Sequence, residues 1–137
     1  MKREYDDALC EEFPLLYADR TRSWREVPLG FGIECKDGWY PLLRELSAKL
    51  ETLIMRLPED ERSGYRAAQV KEKLGTLRFH MSKQTPEMFA VISEAEELSG
   101  HTCEYCGAPG TLRRVADWRI TLCDDHHAER ERRFERH

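Results

Sequence analysis

The chain has 137 residues, 40% hydrophobic and 35% charged, with a net charge of −4. That length suits one domain of ordinary size, and the balance is that of a soluble globular protein with a heavily charged surface. It excludes a generic polyanion binder, which is normally basic overall, and no apolar run approaches a membrane span.

The acidic excess is local. Residues 1–64 carry 10 basic and 14 acidic side chains, residues 65–100 carry 5 of each, and residues 101–137 carry 7 of each. An acidic first half suits a basic protein partner, and any phosphate contact needs a local basic patch. The stretch from Met1 to Asp7 has no apolar core of the signal-peptide kind, so the expected location is the cytoplasm. Five cysteines in a reducing compartment read as ligands or thiols rather than disulfides.

Residues 4–12 allow a short helix, which Phe13-Pro14 ends. Leu15-Leu16-Tyr17 is an apolar clip for the core. Apolar residues at Leu29, Phe31, Ile33 and Cys35 alternate with two glycines, which predicts a short, weakened strand. Asp37 then opens the strongest helix. Trp39, Leu42, Leu43, Leu46, Leu50, Leu53, Ile54 and Leu57 recur at spacings of three and four, and Pro58 stops the pattern. Residues 65–82 predict a hairpin turning at Leu74-Gly75-Thr76. Its polar face gathers Gln69, Lys71, Lys73, Arg78 and His80. Thr85-Pro86-Glu87 is a helix start, with Met88, Phe89, Ile92, Ala95 and Leu98 as the buried face and Ser99-Gly100 as the stop.

The last quarter carries the chemistry. Cys103-x-x-Cys106 and Cys123-x-x-His126 lie sixteen residues apart, each a tight turn that aims two soft ligands at one point. Zn²⁺ takes four such ligands in a tetrahedron, and Cys₃His is a common structural set. His127 is the alternative fourth ligand. Gly107 follows the second cysteine, where a knuckle needs positive φ. Thr111 to Val115 and Trp118 to Leu122 predict a small hairpin, and the stretch after Cys123 predicts a helix. Knuckle, hairpin and ligand-bearing helix together resemble a treble-clef finger. The expected architecture is a small α+β protein, with a body over residues 1–100 and a zinc module over 101–137 packed on it as one unit. With four protein ligands no position remains for an activated water, so a single structural Zn²⁺ is expected.

Three stretches, Gly30 to Tyr40, Gln69 to Phe79 and Cys103 to His126, resemble in the same order a group of small phage and prophage proteins with no established activity. The resemblance covers about residues 8–128. It implies a small accessory protein acting in a host cytoplasm, of a kind that regulates transcription, binds nucleic acid or blocks a host defence.

No triad, carboxylate pair, phosphate loop or open metal site is evident, so the chain reads as non-enzymatic. A His-Asn-His type nuclease also uses paired Cys-x-x-Cys turns, but Asp117-Trp118 supplies no general base. Cys35 reads as a core thiol rather than a nucleophile paired with His80 or His101. The favoured function is binding of a phosphate-bearing ligand, nucleic acid or a nucleotide. Its candidate residues are Lys71, Lys73, Arg78 and His80, Trp39 as a stacking platform, and Arg113 and Arg114 on the finger. Docking on a host protein through the acidic first half is the other reading.

Overall fold

The computed structural model describes residues 1–135. Helix α1 spans Arg3–Glu12, α2 Tyr40–Met55, α3 Pro86–Ser99 and α4 Asp124–Glu135. One hairpin pairs β1 (Ala67–Lys73) with β2 (Thr76–Met81), and the other pairs β3 (Thr111–Val115) with β4 (Trp118–Leu122). The chain is thus a mixed α+β fold. No helix among the described residues is long and apolar enough to cross a membrane.

The body is built on α2. A short 3₁₀ turn, Asp37–Trp39, leads into it, so the helix proper begins later than its Asp37 signal. Its three-and-four spacing buries Leu43, Leu46, Leu50 and Ile54 against α1, α3 and the first hairpin. The same stripe carries a charge, Glu51, which is only 8% exposed. Its carboxylate accepts the backbone N–H groups of Leu15 (3.1 Å) and Leu16 (2.8 Å). Loop amides that would otherwise be buried without partners are satisfied there, and the Leu15-Leu16-Tyr17 clip is held on the core. Tyr17 completes the clip through its hydroxyl, 2.6 Å from Ser47 Oγ.

Residues 28–35 do not form the expected strand. Pro28–Phe31 is a 3₁₀ turn, and Phe31 is exposed. Glu34 alone reaches the sheet, donating to Val70 O (2.9 Å) and accepting from Glu72 N (3.0 Å) at a parallel bridge to Lys71. The ladder goes no further because neighbouring amides are committed elsewhere. Gly32 N donates to Leu29 O, and Lys36 N donates to the Glu104 carboxylate.

The first hairpin turns through Leu74 (φ 54°) and Gly75 (φ 90°), two left-handed residues in succession, as a tight primed turn requires. Val70, Leu77 and Phe79 pack inward. The register slips between Ala67 and Gln69, and Ala67 is buried in the core while Ala68 is half-buried. Along the outer edge of β2, Leu77 N donates to Ser99 Oγ and Phe79 N to Glu96 Oε2, both at 2.9 Å. Helix α3 thereby closes an edge that would otherwise invite another strand. Its buried face is Met88, Ile92, Ala95 and Ser99. Phe89 and Leu98, expected in that face, are exposed, because the helix is phased to aim Ser99 at the strand edge.

Candidate metal centre

Cys103 and Cys106 lie on a knuckle that the sequence folds locally. Gly107 N returns to Cys103 O (2.8 Å), and Cys103 N donates to Ala108 O (2.8 Å). Gly107 takes φ 79°, where a side chain would be strained. Cys123 directly follows β4, and His126 lies in the first turn of α4. Ligand atoms from all four residues lie within 4.8 Å of one another. Cys106 Sγ is 3.8 Å from Cys123 Sγ, and His126 Nδ1 is 3.6 Å from Cys103 Sγ and 3.2 Å from Cys123 Sγ. This cluster can hold a metal ion.

His127, the alternative ligand, points elsewhere, with its Nε2 3.3 Å from Glu131 Oε1. Position 126 wins because three residues of helix start bring its ring back over Cys123, whose sulfur also accepts the His126 amide at 3.5 Å.

The electrostatics suit a cation. Burial opposes ionisation of Cys103, but backbone hydrogen bonds from Cys123, Cys106 and Tyr105 outweigh it and lower the thiol's pKa. At Cys106 a backbone bond from Ala108 favours the thiolate, yet burial and the sulfurs of Cys103 and Cys123 together raise its pKa. One thiolate forms readily here, and several repel each other unless a positive ion sits among them.

The knuckle is pressed against the body. Gly38 N donates to Glu104 O at 2.7 Å, Lys36 N to Glu104 Oε2 at 3.2 Å, and the Trp39 indole N–H to Thr102 O at 2.9 Å. A Cβ on Gly38 would stand 2.3 Å from Cys103 O, 2.5 Å from Glu104 O and 2.6 Å from Cys106 N. Glu104 is buried, and desolvation pushes its carboxyl up to about 7. On the other side of the finger, Thr121 Oγ1 donates to Gly75 O at 2.7 Å, tying β4 to the turn of the first hairpin.

Trp39 is therefore no stacking platform. It is fully buried, and its one polar atom is spent on Thr102. Tyr40 is also taken, stacked on Tyr5 with ring centroids 4.2 Å apart. Arg113 and Arg114 do not act as a pair, since consecutive strand residues face opposite ways. Arg113 turns to the finger's inner side, where it donates to Leu122 O (3.0 Å) and Asp124 (2.6 Å). Arg114 stands opposite Arg119 on the other face.

The hairpin cations do come together. Register pairs Lys71 with Arg78 and Gln69 with His80 across β1 and β2, with Lys73 beside the turn. None of Lys71, Lys73, Arg78 and Arg119 makes an ion pair among the described residues. Cys35 is a buried thiol, raised in pKa chiefly by burial, and both it and Cys10 are free.

Sequence reasoning missed Glu51, Gly38 and Glu104. Glu51 could have been found because it falls on the apolar period of α2. Gly38 had a weaker signal, a glycine directly before a buried tryptophan. Glu104, an ordinary acid between two ligands, offered none.

Comparisons with protein families, curated proteins and solved structures find no match to this chain.

Proposed function

We propose that the chain is a non-enzymatic, zinc-stabilised protein that binds nucleic acid across its two hairpins. The zinc assignment follows from the donor set and its spacing. Zn–S near 2.3 Å and Zn–N near 2.05 Å in a tetrahedron require S···S of about 3.8 Å and S···N of about 3.6 Å. The cluster has 3.8 Å for Cys106–Cys123 and 3.6 Å for Cys103–His126, with Cys123–His126 shorter at 3.2 Å. Three thiolates and an imidazole are soft enough to select Zn²⁺ over Mg²⁺ or Ca²⁺. Knuckle, hairpin and ligand-bearing helix fit a treble clef. With all four positions protein-filled, the ion's chemistry is to hold Cys103, Cys106, Cys123 and His126 together and so fix α4 on the finger.

The nucleic-acid reading is carried by one observation. Both hairpins place a cation directly opposite a cation, Lys71 opposite Arg78 and Arg114 opposite Arg119. Like charges facing across a strand pair are destabilising, and here they occur twice in a chain of net charge −4. Gly75 lies against Leu112 and Arg119, so the turn after Lys73 meets the second hairpin at its own cationic pair. Arg114 has Asp117 at 3.8 Å, but Lys71, Arg78 and Arg119 have no acidic partner among the described residues, and a phosphate backbone offers them that counter-charge.

The test is a salt titration of binding to a labelled oligonucleotide. The log–log slope should fall by about 1.4–1.8 when Lys71→Gln and Arg78→Gln are combined, from roughly 0.7–0.9 per lost phosphate contact. Binding that ignores salt, or a double variant equal to wild type, would sink the reading.

Docking on a host protein has an observation of its own. The Trp24 and Phe31 rings lie 5.3 Å apart at a tilt of 32°, both largely exposed, with the Arg25 guanidinium 5.2 Å from the Trp24 ring. Exposed aromatic and arginine clusters favour protein interfaces. A stoichiometric complex from host extract that survives loss of Lys71 and Arg78 but not Trp24→Ala would favour this reading.

A further inference from the structure

A cavity of about 350 Å³ opens beside the metal cluster, lined by Lys36, Tyr105, His126, Glu129, Arg130 and Arg133. It shares no residue with the hairpin cations. Its size falls at the small end of ligand pockets, about 300–1,000 Å³.

The lining has unmet hydrogen-bonding capacity. His126 turns Nδ1 to the cysteines, and its Nε2 has no partner among the described residues. A metal-bound histidine ordinarily donates that second N–H to an acceptor. Tyr105 lies edge-on to the His126 ring at 5.4 Å, and its hydroxyl accepts from Arg130 at 2.6 Å. That contact fixes the Arg130 guanidinium at the pocket wall, where its Nε is buried with no partner. Lys36 makes no ion pair among the described residues. Arg133 is held 3.0 Å from Glu129.

The charge count selects the ligand class. Lys36, Arg130 and Arg133 against Glu129 leave the lining at +2. Three thiolates around a divalent ion would subtract one, so the site stays cationic. A phosphate monoester, with a charge of about −1.5 to −2 and three acceptor oxygens, is opposite in sign to the site and matches the number of converging donors.

We propose that this pocket binds a phosphate monoester, whose oxygens accept from Arg130, Lys36 and the Nε2–H of the metal-bound His126. The same chemistry is available from a free nucleotide or from the terminal phosphate of a strand. The ligand would complete the outer shell of the metal site, so metal loading and phosphate binding reinforce each other.

The test uses the metal-loaded 137-residue chain and calorimetric titration with inorganic phosphate and AMP. A further pair of titrations compares one oligonucleotide with and without a 5′ phosphate. Wild type should bind AMP at one site. Lys36→Gln, which removes no side-chain hydrogen bond or ion pair among the described residues, and Arg130→Gln should each weaken binding by about tenfold or more, as loss of a charge-assisted hydrogen bond implies. The hairpin double variant at Lys71 and Arg78 should change it less than about twofold, since remote sites act independently. Tighter binding of the oligonucleotide with a 5′ phosphate than without, lost in Arg130→Gln, identifies the strand end as the source, and equal binding of the two strands beside one-site AMP binding identifies the free nucleotide. A long-range proton–nitrogen spectrum should show the His126 Nε2–H signal shift and its exchange slow on phosphate addition. No binding of either small probe at millimolar concentration, an unmoved His126 signal, or pocket variants that bind like wild type would overturn the proposal. If AMP binds but only the hairpin variant loses it, the phosphate belongs to the hairpins and the pocket assignment is wrong.

Discussion

Replacing Gly38 with alanine adds one methyl group where two backbones touch. The new carbon would sit at 2.3, 2.5 and 2.6 Å from Cys103 O, Glu104 O and Cys106 N. All three are backbone atoms, so no flexible side chain can move aside, and relief requires the knuckle and the Asp37–Trp39 turn to part by about 1 Å, since carbon–oxygen contacts settle near 3.3–3.6 Å. A shift of that size stretches the 2.7 Å bond from Gly38 N to Glu104 O beyond hydrogen-bonding range. It also pulls on the bonds from Lys36 N and from the Trp39 indole. Overpacking costs about 1–3 kcal/mol, and each lost hydrogen bond about 1 kcal/mol more. The expected loss is therefore about 2–5 kcal/mol, or roughly 7–20 °C in Tm for a chain of this size. Urea unfolding of the metal-loaded protein, followed by circular dichroism, measures it directly. Gly64→Ala is the control, since a Cβ there meets only a lysine side-chain carbon at 3.9 Å. It should change stability by less than about 0.5 kcal/mol. If Gly38→Ala behaves like that control, the body and the knuckle do not meet as described.

Other outcomes follow from the same structure. Glu51→Ala strands the amides of Leu15 and Leu16, and should cost about 2–5 kcal/mol in urea unfolding, whereas a surface pair such as Glu45 with Lys49 should contribute less than 1 kcal/mol. Cys106→Ser should lower zinc retention against a chelator and loosen the finger, while the body keeps its helical dichroism because its own core is separate. Lys71→Gln should raise stability by about 0.2–1 kcal/mol through relief of its repulsion with Arg78, even as it weakens oligonucleotide binding. Burial pushes the Cys10 thiol up to about 12. Because the folded value is raised, this contribution to stability is present below the unfolded cysteine pKa and lost as pH rises from about 8.5 to 12. Alkylation of Cys10 in the folded protein at pH 8 should correspondingly be far slower than in urea.

Elements governed by local rules were legible in the sequence. The three-and-four spacing of α2, the Thr85-Pro86 start of α3 and the ligand pairs all concern residues near one another in the chain. Thr85 Oγ1 does accept the Met88 amide, at 3.2 Å. What escaped depended on distant partners. Residues 29–35 alternate like a strand, but their neighbouring amides are claimed by Leu29 and Glu104, so only Glu34 pairs. Trp39 carried the same apolar signal whether displayed or buried, and only its contact with Thr102 decides the matter. Arg113 and Arg114 read as one cluster until strand alternation separated them. The cysteine and histidine cluster was legible because tight turns fix ligand direction within four residues. The pocket beside it joins Lys36 to α4, and no spacing rule links those positions.

The seam between Gly38 and the knuckle also sets an order of events during synthesis. The amides of Lys36 and Gly38 find their acceptor only in Glu104, and the knuckle is pinned only once His126 has been made. Between Trp39 and His126 the ribosome adds 87 residues, which takes about 4–17 s at roughly 5–20 residues per second. Throughout that interval the nascent body carries an open seam and a free tryptophan edge. The later-made knuckle is thus what closes the earlier-made body, and a product that stops before His126 would leave that surface exposed to chaperones and proteases.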